Sequence, residues 1–140
     1  LAKKMMPETK IIILTMFNES FRIHNIIREI NPDGFLIKSD LTSMELADAF
    51  QHIIKSPPYY SSTVHNFVKQ TLTSEIYVDD INRKILYLLS QGIKTKSLLE
   101  HIPLSMSGIE KRKKQLKMLF SVEDGKDETL LEMAKEKGFI

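Results

Sequence analysis

The sequence predicts two unlike parts, an α/β segment followed by an all-α segment. Three observations predict this. Two short β-branched runs, "KIIILTMF" (Lys10–Phe17) and "FLIK" (Phe35–Lys38), are each followed by apolar residues at helical spacing. Adjacent prolines, Pro57 and Pro58, then break that rhythm. From Asp79 onward, four helical stretches follow one another.

"LAKKMMPETK" reads as the last turn of a helix and a Pro-containing loop, an unusual place for a domain to begin. The chain therefore reads as a fragment of a longer protein. "IIIL" has the continuous apolar pattern of a strand buried on both faces. "NESFRIHNIIREI" follows, with Phe21, Ile23, Ile26, Ile27 and Ile30 at helical spacing and Asn18 or Ser20 as its cap. "NPDG" signals a turn into the second buried strand. In the next helix Leu46, Ala49, Phe50, Ile53 and Ile54 share one side. Alternation of strand and helix implies parallel strands. Residues 1–58 form this first part, and 59–78 read as a linker with some helical pattern in "TVHNFVKQTL".

Residues 79–140 form the second part. Asp79 or Asp80 caps a helix stopped by Gly92, and Thr95 caps a short helix that closes before Pro103. Ser105 caps a third helix running to about Phe120, and Asp127 a fourth stopped by Gly138. Pro103 and Leu104 alone join the short helix to the third, close to the length of a helix-turn-helix connection. In such a unit the second helix lies in the major groove of DNA.

Composition narrows the classes. The 140 residues carry a net charge of +2, 42% apolar residues and no cysteine, so disulfides and thiolate chemistry are excluded. The longest apolar run falls far short of a membrane span, and Pro7 and Glu8 break any signal-peptide pattern. His24, His52, His65 and His101 are scattered, without metal-ligand spacing. "EDGKDE" lacks the length and closing glutamate of a calcium loop. No phosphate-cradling glycine loop or nucleophile motif appears, so the reading contains no enzyme and no cofactor.

The charge is uneven. Ile81–Val122 holds nine Lys and Arg against Glu100 and Glu110, a net of +7, whereas Glu123–Ile140 holds six acids against three lysines. Five cations fall within Lys111–Lys117. At about 100° per residue, Ile109, Leu116 and Phe120 fall on one seam, and Lys111, Lys114 and Met118 on the opposite arc with Glu110 and Lys117 at its edge. Arg112 and Lys113 flank the seam, where long stems cover apolar surface. The run alone also fits a merely solvated helix face; the short turn and the local charge favour DNA.

Taken together, "KIIILTMF", "DGFLIKSD" and "ILYLLSQGIKTKSLLEHIPLSMSGIEKRKKQLKMLF" followed by "LLEMAKEKGFI" resemble a response regulator of the NarL/FixJ class. Such proteins join a flavodoxin-like receiver domain to a LuxR-type four-helix DNA-binding domain. The resemblance covers nearly the whole chain but only the latter half of a receiver. It implies that Thr15 and Lys38 are the receiver's threonine and lysine, and Phe35 its switch aromatic. A hydroxyl and an ammonium at strand ends suit a phosphoryl group. The acids that hold magnesium and the phosphoacceptor aspartate belong to strands this chain lacks, so magnesium is expected only for an intact receiver. The uncovered strand surface leaves three outcomes open for the half-receiver: disorder, association, or swapping with another copy. The resemblance further implies a cytoplasmic transcription regulator, with a sensor histidine kinase, double-stranded DNA and a homodimer as partners of the intact protein.

Two departures concern the DNA-binding half. "VDDINRK" stands where a threonine-proline-arginine-glutamate-like segment is usual, and "GIE" (Gly108–Glu110) where threonine-valine-lysine is usual. The implied groove contacts are Glu110, Lys111 and Lys114, and the implied phosphate contacts are Lys94, Lys96, Ser105, Ser107 and Lys117. Glu110 can accept from a cytosine amino group or repel phosphate. The alternative function is a protein-interaction module that keeps the helix-turn-helix fold but has lost DNA affinity.

Overall fold

A computed structural model describes residues 8–140, so the helix turn expected at the start of the chain lies outside the described residues. The chain divides into two compact units between Leu72 and Thr73.

The first unit is a three-stranded parallel sheet in the order β1 (Ile12–Thr15), β2 (Gly34–Ile37), β3 (Tyr59–Tyr60). Ile12 to Thr15 register with Gly34 to Ile37, and Gly34 and Phe35 with Tyr59 and Tyr60. Helices α1 (Ser20–Ile30), α2 (Ser43–Lys55) and α3 (Ser62–Thr73) complete it. Side chains alternate across β2, so its neighbours sort by face. Phe35 and Ile37 pack with Ile23 of α1 and Val64 and Phe67 of α3. Leu36 packs oppositely with Ala49 and Ile53 of α2. Gly34 is glycine because a Cβ there would collide with the Ile53 side chain.

Three expectations are corrected here. Residues 59–73 are a strand and a helix built into the first unit's core, not a linker. Two residues of strand exist only through pairing with β2, which no local pattern announces. β1 is not buried on both faces: it is an edge strand among the described residues, and Leu14 is 39% exposed. Finally, α1 starts after Glu19 with no side-chain cap from Asn18 or Ser20.

A 3-10 turn (Lys38–Asp40) leads from β2 towards α2, which begins with a capping box: Thr42 accepts from the Glu45 amide, and Glu45 from the Thr42 amide. Asp40 reaches the start of α3 instead. It accepts from the Thr63 amide at 2.8 Å, the Thr63 hydroxyl at 2.6 Å and the buried Ser61 hydroxyl at 2.7 Å. Ser61 Oγ also accepts from the Ile37 amide at 2.9 Å, tying the end of β2 to the start of α3.

The second unit comprises α4 (Asp80–Ser90), a 3-10 helix (Thr95–Glu100), α5 (Met106–Leu119) and α6 (Asp127–Glu136). Its core joins Ile85, Leu86 and Leu89 of α4, Leu98 of the 3-10 helix, Ile102 in the turn after it, Ile109 and Leu116 of α5, Phe120, and Leu130 and Ala134 of α6. Asp79 caps α4 through the Asn82 amide at 2.8 Å, and Gly92, at φ 83°, ends it. Ser105 caps α5 through the Gly108 amide at 3.1 Å. The other two expected caps differ. Lys94 and Lys126 occupy the cap positions, and Thr95 and Asp127, the first residues of their helices, are bonded elsewhere.

Candidate functional site

The seam of α5 is buried as its spacing predicts, with Ile109, Leu116 and Phe120 at 0%, 0% and 1% exposure. Lys113 lies on that seam rather than beside it and is itself buried. A buried ammonium needs partners, because desolvation without them costs several kcal/mol. Lys113 Nζ donates to Asp127 Oδ2 at 2.7 Å and to Thr95 Oγ1 at 2.8 Å. Asp127 Oδ1 takes Lys117 Nζ at 2.7 Å. Burial pushes the Asp127 carboxyl up, but the bonds from Lys113 and Lys117 outweigh it and hold the group below its ordinary 3.8. Arg112 Nη1 donates to Asp79 Oδ2 at 2.7 Å and to Asn82 Oδ1 at 3.4 Å. The helix is therefore fastened at both flanks, to the start of α4 and to the start of α6.

These bonds divide the five cations of the run. Arg112, Lys113 and Lys117 have carboxylate partners, whereas Lys111 and Lys114 are exposed and have none among the described residues. The counterions Asp79 and Asp127 lie just outside the Ile81–Val122 window, so the net of +7 counted there includes charge that is already balanced. Lys117, expected on phosphate, is engaged by Asp127 in this structure. Glu110, Lys111 and Lys114 share the exposed arc of α5 with Met118, which is 73% exposed. Ser105 and Ser107 stand exposed at its N-terminus, their hydroxyls 3.1 Å apart. Lys94 and Lys96 are exposed at the start of the 3-10 helix. Sequence reasoning missed the Lys113–Asp127–Thr95 cluster. The available signal was Asp127, an anion at the start of the helix after a basic one.

In the first unit, Thr15 ends β1 and Lys38 directly follows Ile37, the register partner of Thr15. Both therefore stand at the carboxyl edge of adjacent parallel strands. Thr15 Oγ1 accepts from the Phe17 amide at 3.1 Å. Lys38 is exposed and, with Leu14, Leu41, Thr42, Ser43 and Leu46, lines a shallow open cavity. Phe35 is not at that edge: it is 1% exposed in the cluster formed with α1 and α3. Asp40, the nearest carboxylate in sequence, is committed to Ser61 and Thr63. Among the described residues no group of three or more His, Cys, Asp or Glu is placed to hold a metal ion, and no helix is long and apolar enough to cross a membrane.

No protein-family model and no curated sequence relative matches the chain. Solved structures do. A structure of two RcsB dimers bound to two parallel DNAs matches 95% of this chain and 62% of that one, at 20% identity and a TM-score of 0.50. The RcsB response regulator of Salmonella typhimurium matches 95% of this chain and 64% of that one, at 20% identity and a TM-score of 0.43. ChrA, a response regulator of a heme-sensing two-component system, matches 99% of this chain and 68% of that one, at 18% identity and a TM-score of 0.43. The chain thus spans less than two thirds of the RcsB chains. The likeness to the DNA-bound RcsB structure is one of fold.

Proposed function

We propose that this chain is the C-terminal portion of a cytoplasmic two-component response regulator that binds double-stranded DNA to control transcription. The observation that carries the reading is the division of charge on α5. The helix is pinned on both flanks while Lys111 and Lys114 stay exposed and without counterions among the described residues, beside a serine-capped N-terminus. A rigid helix with free cations on its outer arc suits the major groove. Glu110, Lys111 and Lys114 face bases in this reading, and Lys94, Lys96, Ser105 and Ser107 face phosphate. The fold shared with RcsB, a protein whose dimers have been seen on DNA, supports it.

On this reading residues 1–72 are the latter part of a receiver and 73–140 a LuxR-type DNA-binding domain. A sensor kinase phosphorylates an aspartate borne by the intact protein. Thr15 and Lys38, at the strand ends, receive the phosphoryl oxygens, and buried Phe35 couples that edge to the cluster with α1 and α3. Two copies then bind related half-sites.

The test is a duplex titration over a salt series. Affinity falls linearly with salt on a log–log plot, by about 0.9 per phosphate-neutralising cation. Lys94→Ala/Lys96→Ala is expected to flatten that slope by up to roughly 1.8, whereas Lys111→Ala/Lys114→Ala is expected to weaken binding and relax the sequence preference. A folded chain without salt-sensitive binding refutes the reading. It would favour the protein-interaction module, for which exposed Met118 on the same arc is the supporting observation.

A further inference from the structure

Asp127 engages two ammonium groups one helical turn apart, Lys113 and Lys117, each at 2.7 Å. The two pairs differ in burial. The Lys113 side chain is 8% exposed and fixed further by Thr95, whereas the Lys117 side chain is 22% exposed. Lys113 is therefore a structural ion and Lys117 a retained surface cation. Asp127 is also the first residue of α6, where the helix dipole favours a carboxylate. Its charge is thus stabilised from three directions, and a nucleic-acid phosphate must compete with it for Lys117.

We propose that Asp127 acts as an internal phosphate surrogate that withholds Lys117 from the DNA backbone. It is a positioning residue: it limits the cations that α5 offers DNA to Lys111 and Lys114 by occupying the next one along. The proposal rests on the reading of α5 as a DNA-binding helix. It makes that helix less attractive to DNA of any sequence than its five-cation composition implies.

Salt-dependent duplex binding tests this in the full chain. Lys117→Gln is expected to leave the log–log salt slope unchanged. Lys113→Met/Asp127→Asn removes the buried charge together with its partner and frees Lys117, steepening the slope by about 0.9. Adding Lys117→Gln to that pair is expected to restore the wild-type slope. A flattening of about 0.9 by Lys117→Gln alone, or no steepening by the pair, overturns the proposal. Amine-reactive footprinting of the wild type decides the matter should the pair fail to fold. Duplex is expected to protect Lys111 and Lys114 and to leave the Lys117 rate unchanged; protection of Lys117 overturns the proposal. Absence of any salt-sensitive binding by the wild type instead refutes the DNA reading itself, and the proposal falls with it.

Discussion

Removing either partner of the Lys113–Asp127 pair should cost very different amounts. Asp127→Ala leaves an ammonium whose side chain is 8% exposed with Thr95 Oγ1 as its remaining bond, besides releasing Lys117. Loss of one partner from a fully buried pair costs about 3–5 kcal/mol. Because Asp127 is 38% exposed, the pair is partly screened, and a cost of roughly 2–3 kcal/mol is expected. Lys113→Met keeps the apolar stem on the seam beside Ile109 and Leu116, and leaves Asp127 near water and still paired with Lys117. Its cost should stay below about 1 kcal/mol, because the carboxylate left behind is 38% exposed and still paired, so no uncompensated charge stays buried. Hydrogen exchange suits a chain of two units, since it reads opening locally. The Phe120 amide, bonded to the Leu116 carbonyl at 2.9 Å, is the probe. Equal loss of protection in the two variants, or a greater loss in Lys113→Met, would refute the view that the buried charge rather than the carboxylate sets the cost.

Two further outcomes are expected. Asp40 feels burial that raises its carboxyl pKa, but bonds from the Thr63 and Ser61 side chains and the Thr63 amide outweigh it and lower it below 3.8; Asp127 is likewise lowered. Both groups bind fewer protons folded than unfolded, so their stabilisation is present above about that ordinary value and lost as pH falls through the depressed folded values. Carboxyl-carbon titration by NMR should place both midpoints below 3.8, and a midpoint above it would contradict the hydrogen-bond account. Gly34→Ala is expected to cost about 1–3 kcal/mol by forcing its Cβ against Ile53, read as lost hydrogen-exchange protection in β2. Unchanged protection would show that α2 gives way easily.

Much of the site was legible because its causes are local. The 3.6-residue period alone put Ile109, Leu116 and Phe120 on one seam, and a serine or aspartate before a helical run marked the caps Ser105 and Asp79. What failed depends on partners distant in sequence. Arg112 and Asp79 are separated by 33 residues, Asp40 and Thr63 by 23, and Lys113 and Asp127 by 14. A charge count over a window sees the cations and not the counterions beyond its edge.

The sequence by itself determined the succession of an α/β and an all-α part, the buried stripe of each helix and the exposed cationic arc of α5. These follow from periodicity and capping chemistry within a few residues of chain. Only the tertiary structure decided that Tyr59–Tyr60 is a strand, that Asp40 fastens α3, and that three of five clustered cations are already neutralised. Strand pairing and ion pairing are properties of two segments at once, and either segment alone carries half of the information.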